Sequence, residues 1–146
     1  MTLDYGQSQD GIAIYRIGLR RAFETHWFES TSGYLSGYWE GSLNYWNGKG
    51  DENYGIAFSP VFTYIFPLSA AYTPYVEAGA GVSLWRRVRM GSRNLSSAFL
   101  FEDRIGAGLR MNAWDFCLRF MHYSNADIKL PNDGIDIGIL SVSYSF

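Results

Sequence analysis

The sequence predicts an all-β fold, an eight-stranded antiparallel transmembrane β-barrel of the bacterial outer membrane, formed by residues 1–146 as one domain. Three observations predict it. Segments of roughly ten residues alternate apolar side chains with polar or small ones, and turn chemistry separates them. The stripe opposite the apolar one carries charges of both signs interleaved with glycine, a composition suited to a narrow barrel interior. The final segment, "LSVSYSF", sets Leu140, Val142, Tyr144 and Phe146 on one stripe and closes on an aromatic residue, as the last strands of outer-membrane barrels do.

The elements follow in order. A short strand at 2–6 precedes the turn "GQSQDG". Residues 12–22 alternate Tyr15, Ile17 and Leu19 against Arg16, Gly18 and Arg20. Residues 34–46 set Leu35, Trp39, Leu43 and Tyr45 against Ser36, Tyr38, Glu40, Ser42 and Asn44, and "NGKGDEN" turns the chain. In 54–66, Pro60 predicts a bulge or bend, because proline cannot donate to a ladder. "PLSAAYTP" is a turn. Residues 75–85 set Val76, Ala78, Ala80, Val82 and Leu84 against Tyr75, Glu77, Gly79, Gly81 and Ser83. "RRVRMGSRNLSS" reads as a loop. Residues 98–110 set Ile105, Ala107 and Leu109 against Glu102, Arg104, Gly106, Gly108 and Arg110; "MNA" turns tightly into 114–124, and 135–146 ends the chain.

The apolar stripe then faces lipid, with Trp and Tyr near strand ends as interfacial girdles. Closure satisfies every backbone hydrogen bond, as hydrocarbon requires. Composition agrees. Charged residues make up 18% of the chain, below the roughly 25% of ordinary soluble domains. A net charge of −2 gives no overall electrostatic reason to expect a nucleic-acid partner. There is no run of about 18 apolar residues to make a transmembrane helix. No leader of charged, then apolar, then small residues opens the chain, so a mature form with a replacement Met1 is the expectation the barrel favours. Cys117, the one cysteine, supports neither a disulfide framework nor a thiol metal cluster, and its position predicts a packed small side chain. No ligand cluster has sensible metal spacing, so neither a metal nor another cofactor is expected.

One stretch breaks the pattern. In "HYSNADIKLPNDGID", residues 122–136, His122 and Ser124 share parity with Trp114, Phe116, Leu118 and Phe120, and so project from the lipid-facing wall. Asp136 shares parity with Leu140, Val142 and Tyr144. An even strand number puts both termini on one side, which for such barrels is the periplasm. The strand 114–124 then rises toward the outside, and His122 and Ser124 lie near its outer end. A hairpin centred near Lys129 sets His122 opposite Asp136, with Cβ atoms about 4.5–5.5 Å apart. A cross-strand His–Asp pair with serine two residues along one face is the arrangement of a Ser-His-Asp relay. In it Ser124 is the nucleophile, His122 the base, and Asp136 holds the imidazole tautomer. Donors for an oxyanion could come from the side chain or backbone N–H of Asn125. Taken singly, each residue has a plainer reading: a structural histidine, or turn chemistry at "PNDG". Together on a lipid-facing stripe, where polar groups are costly, they point to function. His26 has no such company and reads as an interfacial residue.

These residues resemble the motif of the PagL lipid A 3-O-deacylases. "YRIGLR", "GYWEGSLNYW" and "FEDRIGAGLR" are also similar to strands of that family, in order, so the resemblance spans essentially the whole chain. The combination of His-x-Ser-Asn-Ala with Pro-Asn-x-Gly is its specific part. The resemblance implies that His122 and Ser124 are catalytic and that Asp136 is the acid. The best-known members carry Glu there, so Asp is shorter by one methylene, about 1.5 Å. It further implies an oxyanion role for Asn125 and a site-shaping role for Asn132. The implied reaction is hydrolysis of the ester-linked primary 3-hydroxyacyl chain at position 3 of lipid A in the outer leaflet, with lipopolysaccharide and outer-membrane lipid as partners. Phe120 would hold the acyl chain. Arg86, Arg87, Arg89 and Arg93, in the loop after 75–85, would suit the phosphates of lipid A, a solvated loop being the plainer reading. Two other classes fit parts of the sequence: a structural or adhesive small barrel with an incidental polar patch, and a soluble lipocalin-type ligand barrel. Whether the barrel works as a monomer or a homodimer is left open.

Overall fold

A computed structural model gives the fold, and describes residues 1–69 and 71–145. Eight long strands form the wall: β1 (Thr2–Ser8), β2 (Ala13–Ala22), β4 (Gly33–Gly48), β5 (Asp51–Ile65), β6 (Thr73–Trp85), β9 (Phe99–Met111), β10 (Trp114–Ser124) and β11 (Ile135–Tyr144). Three short pieces accompany them: β3 (Trp27–Ser30), which pairs with β4, and the small hairpin β7 (Arg89–Met90) and β8 (Arg93–Asn94). Each wall strand is antiparallel to both neighbours, and the β1–β11 and β2–β4 pairings close the sheet. The predicted eight strands are therefore the observed eight, and closure leaves no edge to cap. Phe146, assigned to the terminal stripe, lies outside the described residues.

Parity falls as the alternation requires. Leu3, Tyr5, Tyr15, Ile17, Leu19, Leu43, Ile56, Phe58, Val82, Leu84, Ile105, Leu118 and Leu140 all project from the outer wall. Inside, Arg16, Arg104 and Arg119 interlock with Asp4, Glu40, Glu77 and Glu102. Tyr38 donates to Glu77 and Tyr123 to Glu102, each at 2.7 Å. Every charge in this column has an opposite partner, the condition for burying charge at acceptable cost.

The polar filling stops short of one end. There the lumen holds Ile12, Ile14, Trp46, Trp85, Leu100, Met121, Tyr123, Ile135, Ile137 and Ile139 as an apolar plug. Met90 and Leu95, from the segment after β6, complete it and are fully buried. The sequence read that segment as an open loop. It instead folds as the β7–β8 hairpin and caps the barrel end away from the termini, because its two apolar side chains have a hydrophobic surface to cover. We call this the capped end.

Pro60 gives a smaller correction. Pairing with β4 runs through Trp39↔Pro60 without a shift, and β5–β6 resumes at Val61↔Gly79 in the register of Phe58↔Val82. The proline interrupts the rungs without inserting a bulge, since it lacks only the donor. At the "NGKGDEN" turn the strands extend to Gly48 and Asp51, leaving Lys49 and Gly50 as a two-residue loop with φ of 57° and 81°. Those positive values are what a type I′ hairpin demands. Cys117 is buried beside Ile65 and Tyr75, as a small packed side chain should be.

Candidate active site

The site is on the outer wall at the capped end, on the hairpin β10–β11. The ladder pairs Trp114↔Tyr144 through Tyr123↔Ile135 without a slip, and so sets His122 directly across from Asp136. The predicted register is the observed one. His122 Nδ1 donates to Asp136 Oδ1 at 2.6 Å. Beside an ionised carboxylate, which can only accept, a neutral imidazole holds its proton on Nδ1 and keeps the lone pair on Nε2. The shorter acid thus reaches the imidazole without help. Both side chains are part exposed, 40% for His122 and 42% for Asp136, and belong to the stripe of Leu118 and Phe120.

Two supports hold the acid. Gln9, in the turn after β1, accepts from Asp136 N through Oε1 at 2.7 Å, and its own N–H donates to Asp136 O at 3.2 Å. The imidazole lies against Gly134, whose φ is +59°; a Cβ there would stand 3.0 Å from His122 Cε1 and 3.5 Å from Nε2. This glycine is required twice, for its backbone conformation and for the closeness of the ring. Continuing the ladder one rung places Gly134 opposite Ser124. Ser124 is half-buried on the same face as His122, two residues further toward the capped end.

Asn125 departs from expectation. Its side chain turns inward and is fully buried. Nδ2 donates to Leu95 O and to Lys129 O, both at 2.7 Å, and the backbone N–H donates to Asn132 Oδ1 at 3.1 Å. All three N–H groups are committed, so neither the side chain nor the backbone of Asn125 offers an oxyanion donor. The residue fastens the 125–134 loop to the cap. Asn132 shapes the loop from the other side, its Nδ2 donating to Asp127 Oδ1 at 3.0 Å.

The four arginines do not act as one cluster. Arg93 Nε donates to Asp10 Oδ2 at 2.5 Å and Nη1 to Asp133 O at 3.0 Å. It ties three loops together, and its charge is already matched. Arg87 lies 3.7 Å from Asp51 Oδ1, and Arg86 and Arg89 are exposed. His26 sits at the opposite end, stacked on Tyr34 at 4.5 Å, in keeping with an interfacial place. The sequence reading missed Asp103. It pairs with His122 across β9–β10 and is exposed on the outer wall, so the imidazole has a carboxylate-bearing neighbour on both sides. Parity with Ile105 and Ala107 was the available signal: a charge on the lipid-facing stripe. Among the described residues no group of three or more His, Cys, Asp or Glu could hold a metal ion.

Comparison with known proteins agrees with this layout. Residues 13–145 match the family described as Lipid A 3-O-deacylase (PagL). The Lipid A deacylase PagL of Pseudomonas aeruginosa is 44% identical over 126 residues, covering 84% of this chain and 72% of that protein. The Lipid A deacylase PagL of Bordetella bronchiseptica is 32% identical over 123 residues, covering 84% and 69%. The crystal structure of the outer membrane enzyme PagL superposes with a TM-score of 0.95 at 36% identity, over 99% of this chain and 98% of that one. A de novo designed transmembrane β-barrel, 12% identical, shares the fold alone, with a TM-score of 0.53 over 98% of this chain and 90% of that one. With the family match spanning nearly the whole barrel and both curated relatives above 30% identity, the chain belongs to the PagL family of lipid A 3-O-deacylases.

Proposed function

We propose that this protein is an outer-membrane serine esterase that hydrolyses the primary 3-hydroxyacyl ester at position 3 of lipid A, working in the outer leaflet. The observation that carries the reading is the His122–Asp136 hydrogen bond on the lipid-facing wall, with the Ser124 hydroxyl two residues along the same stripe. An enzyme whose substrate is a membrane lipid benefits from a site that opens sideways, because the lipid need not leave the bilayer.

The chemistry follows from the proton positions. With Nδ1–H held by Asp136, the Nε2 lone pair of His122 takes the Ser124 hydroxyl proton as Oγ bonds to the ester carbonyl carbon. The tetrahedral adduct collapses by breaking the bond to the sugar oxygen, which receives the same proton from Nε2. Water then attacks the acyl-Ser124 ester and gives its proton to Nε2. The serine leaves with a proton, and a 3-hydroxy fatty acid is released. Asp136 stabilises the imidazolium in both halves without itself accepting the proton. The apolar neighbours Phe120 and Leu118 offer the acyl chain a surface continuous with the membrane interior.

Mass spectrometry of lipid A incubated with refolded protein tests this. The expected result is loss of one 3-hydroxyacyl mass, abolished in Ser124→Ala and His122→Ala variants that still show the heat-modifiable gel shift of a folded barrel. Unchanged lipid A with the wild-type protein, or full activity in either variant, overturns the reading. Unchanged lipid A would leave the family's barrel in the second role, a structural or adhesive one.

A further inference from the structure

Two rungs below the His122–Asp136 pair, the outer wall carries a dent. The ladder pairs Phe120 with Gly138, and Gly138 with Gln7 of β1. A Cβ built on Gly138 would meet nothing within 4 Å. The other outward positions of β11 carry side chains, namely Asp136, Leu140, Val142 and Tyr144, and those of β10 from Trp114 to Phe120 are all large. Neither common reason for a strand glycine applies: its φ is not positive, and no backbone or side chain approaches it. Gly41 on β4 is equally open, so openness alone does not mark a site; Gly138 is set apart by lying beside Phe120, two residues from the His122–Asp136 pair, where a ligand could approach the backbone closely.

We propose that the dent at Gly138 seats the distal part of the acyl chain and sets the chain length the site accepts. This rests on the esterase reading above. A carbonyl at Ser124 Oγ directs its chain down the wall toward the termini end, past the His122–Asp136 rung. The Phe120–Gly138 rung lies four residues from Ser124, about 13 Å along the strand. A four-carbon chain ends well short of it, and a twelve-carbon chain reaches it. Phe120 forms one side of the dent and Gln7 of β1, the partner of Gly138, the other; Leu118, Leu140 and Tyr5 continue the wall beyond it. An indole at position 138 would fill the space the chain needs.

The test uses 4-nitrophenyl esters of 3-hydroxybutyrate and 3-hydroxydodecanoate with wild type, Gly138→Ala, Gly138→Trp and a control, Gly41→Trp. Gly41 faces equally open space on β4, away from the site, so its variant reports general effects of adding bulk to the wall. The expected result is a fall of about tenfold or more in the long-to-short kcat/KM ratio for Gly138→Trp, carried by KM, with a smaller fall for Gly138→Ala and none for Gly41→Trp. An unchanged ratio in Gly138→Trp, or an equal fall in Gly41→Trp, overturns the proposal. A second arm does not depend on hydrolysis. A diazirine-bearing dodecanoic acid is photolysed with the Ser124→Ala protein in detergent, and adducts are mapped by mass spectrometry. Saturable labelling at residues 118–120 and 138–140, lost in the double variant with Gly138→Trp, supports the seat; labelling spread evenly around the wall overturns it. If wild type cleaves neither ester, the esterase reading fails, while the labelling still decides the seat.

Discussion

At the scale of single residues, the site is built by excluding side chains as much as by placing them. The His122 ring can lie where it does only because Gly134 has no Cβ, and the space is too tight for one to be added without moving the ring. Gly134→Ala therefore both strains a backbone at φ +59° and displaces the His122 ring. We expect the barrel to fold and kcat to fall by up to about tenfold, since the ring must give by a few tenths of an ångström, less than the full ångström that costs about a hundredfold. Asp136→Asn makes a different prediction. An amide in place of the carboxylate can donate to Nδ1, so it favours the wrong tautomer and leaves Nε2 protonated. Activity should fall by roughly four orders of magnitude, with little change in KM. Steady-state kinetics on a soluble ester would show both. Near wild-type kcat in Asp136→Asn would mean that the base is elsewhere.

At the scale of elements, the β10–β11 hairpin is precise because its loop is fastened to the cap. The buried Asn125 amide joins the loop to Leu95 O, and Asn94 N donates to Asp133 Oδ2 at 2.7 Å. Removing the amide in Asn125→Ala takes one donor from Leu95 O, which keeps the Ser97 N–H, and the side-chain donor from Lys129 O, a cost of about 1–3 kcal/mol in all. Hydrogen exchange of 94–96 and 125–134 should accelerate together, while the strands stay protected. Arg93 adds a pH-sensitive tie. Its hydrogen bond holds the Asp10 carboxyl below its ordinary value of 3.8. A lowered value means a contribution that is complete above the unfolded value and fades as pH falls through the folded one. Exchange in the loops should therefore rise below about pH 4 in wild type. In Arg93→Gln it should already be fast at neutral pH and show little further rise. A wild-type profile flat down to strong acid would contradict the tie.

At the scale of the whole molecule, the lumen is divided between two solutions to one packing problem. The middle is filled by ion pairs and the capped end by hydrocarbon. Glu102 is the hinge between them. It accepts from Arg16 and Arg104 in the charged column, from Ser59 at 2.7 Å, and from Tyr123, whose ring packs against Trp46 and Trp85 of the plug. Glu102→Ala would leave two buried guanidinium groups under-compensated and a tyrosine hydroxyl without its acceptor. The expected cost is about 3–5 kcal/mol, read as a shift in the urea midpoint for refolding into detergent. An unchanged midpoint would mean that water replaces the carboxylate and that the column is less dry than its burial indicates.

Much of this protein was decided locally. Alternation with a period of two assigned wall and lumen stripes in six of the eight strands, because side-chain direction in a strand is set by backbone geometry before any partner is chosen. The same rule put His122, Ser124 and Asp136 on one face, and turn length fixed the register that joined the first to the third. Three features needed the folded chain. Met90 and Leu95 became a cap because the plug they cover exists only after closure. The N–H groups of Asn125 were spent inside the loop because their acceptors come from residues 30 positions upstream and from the far limb of the loop. Arg93 lost its freedom to Asp10, which is 83 positions away. Periodicity reports which way a side chain points. What it meets there depends on segments brought near only by barrel closure.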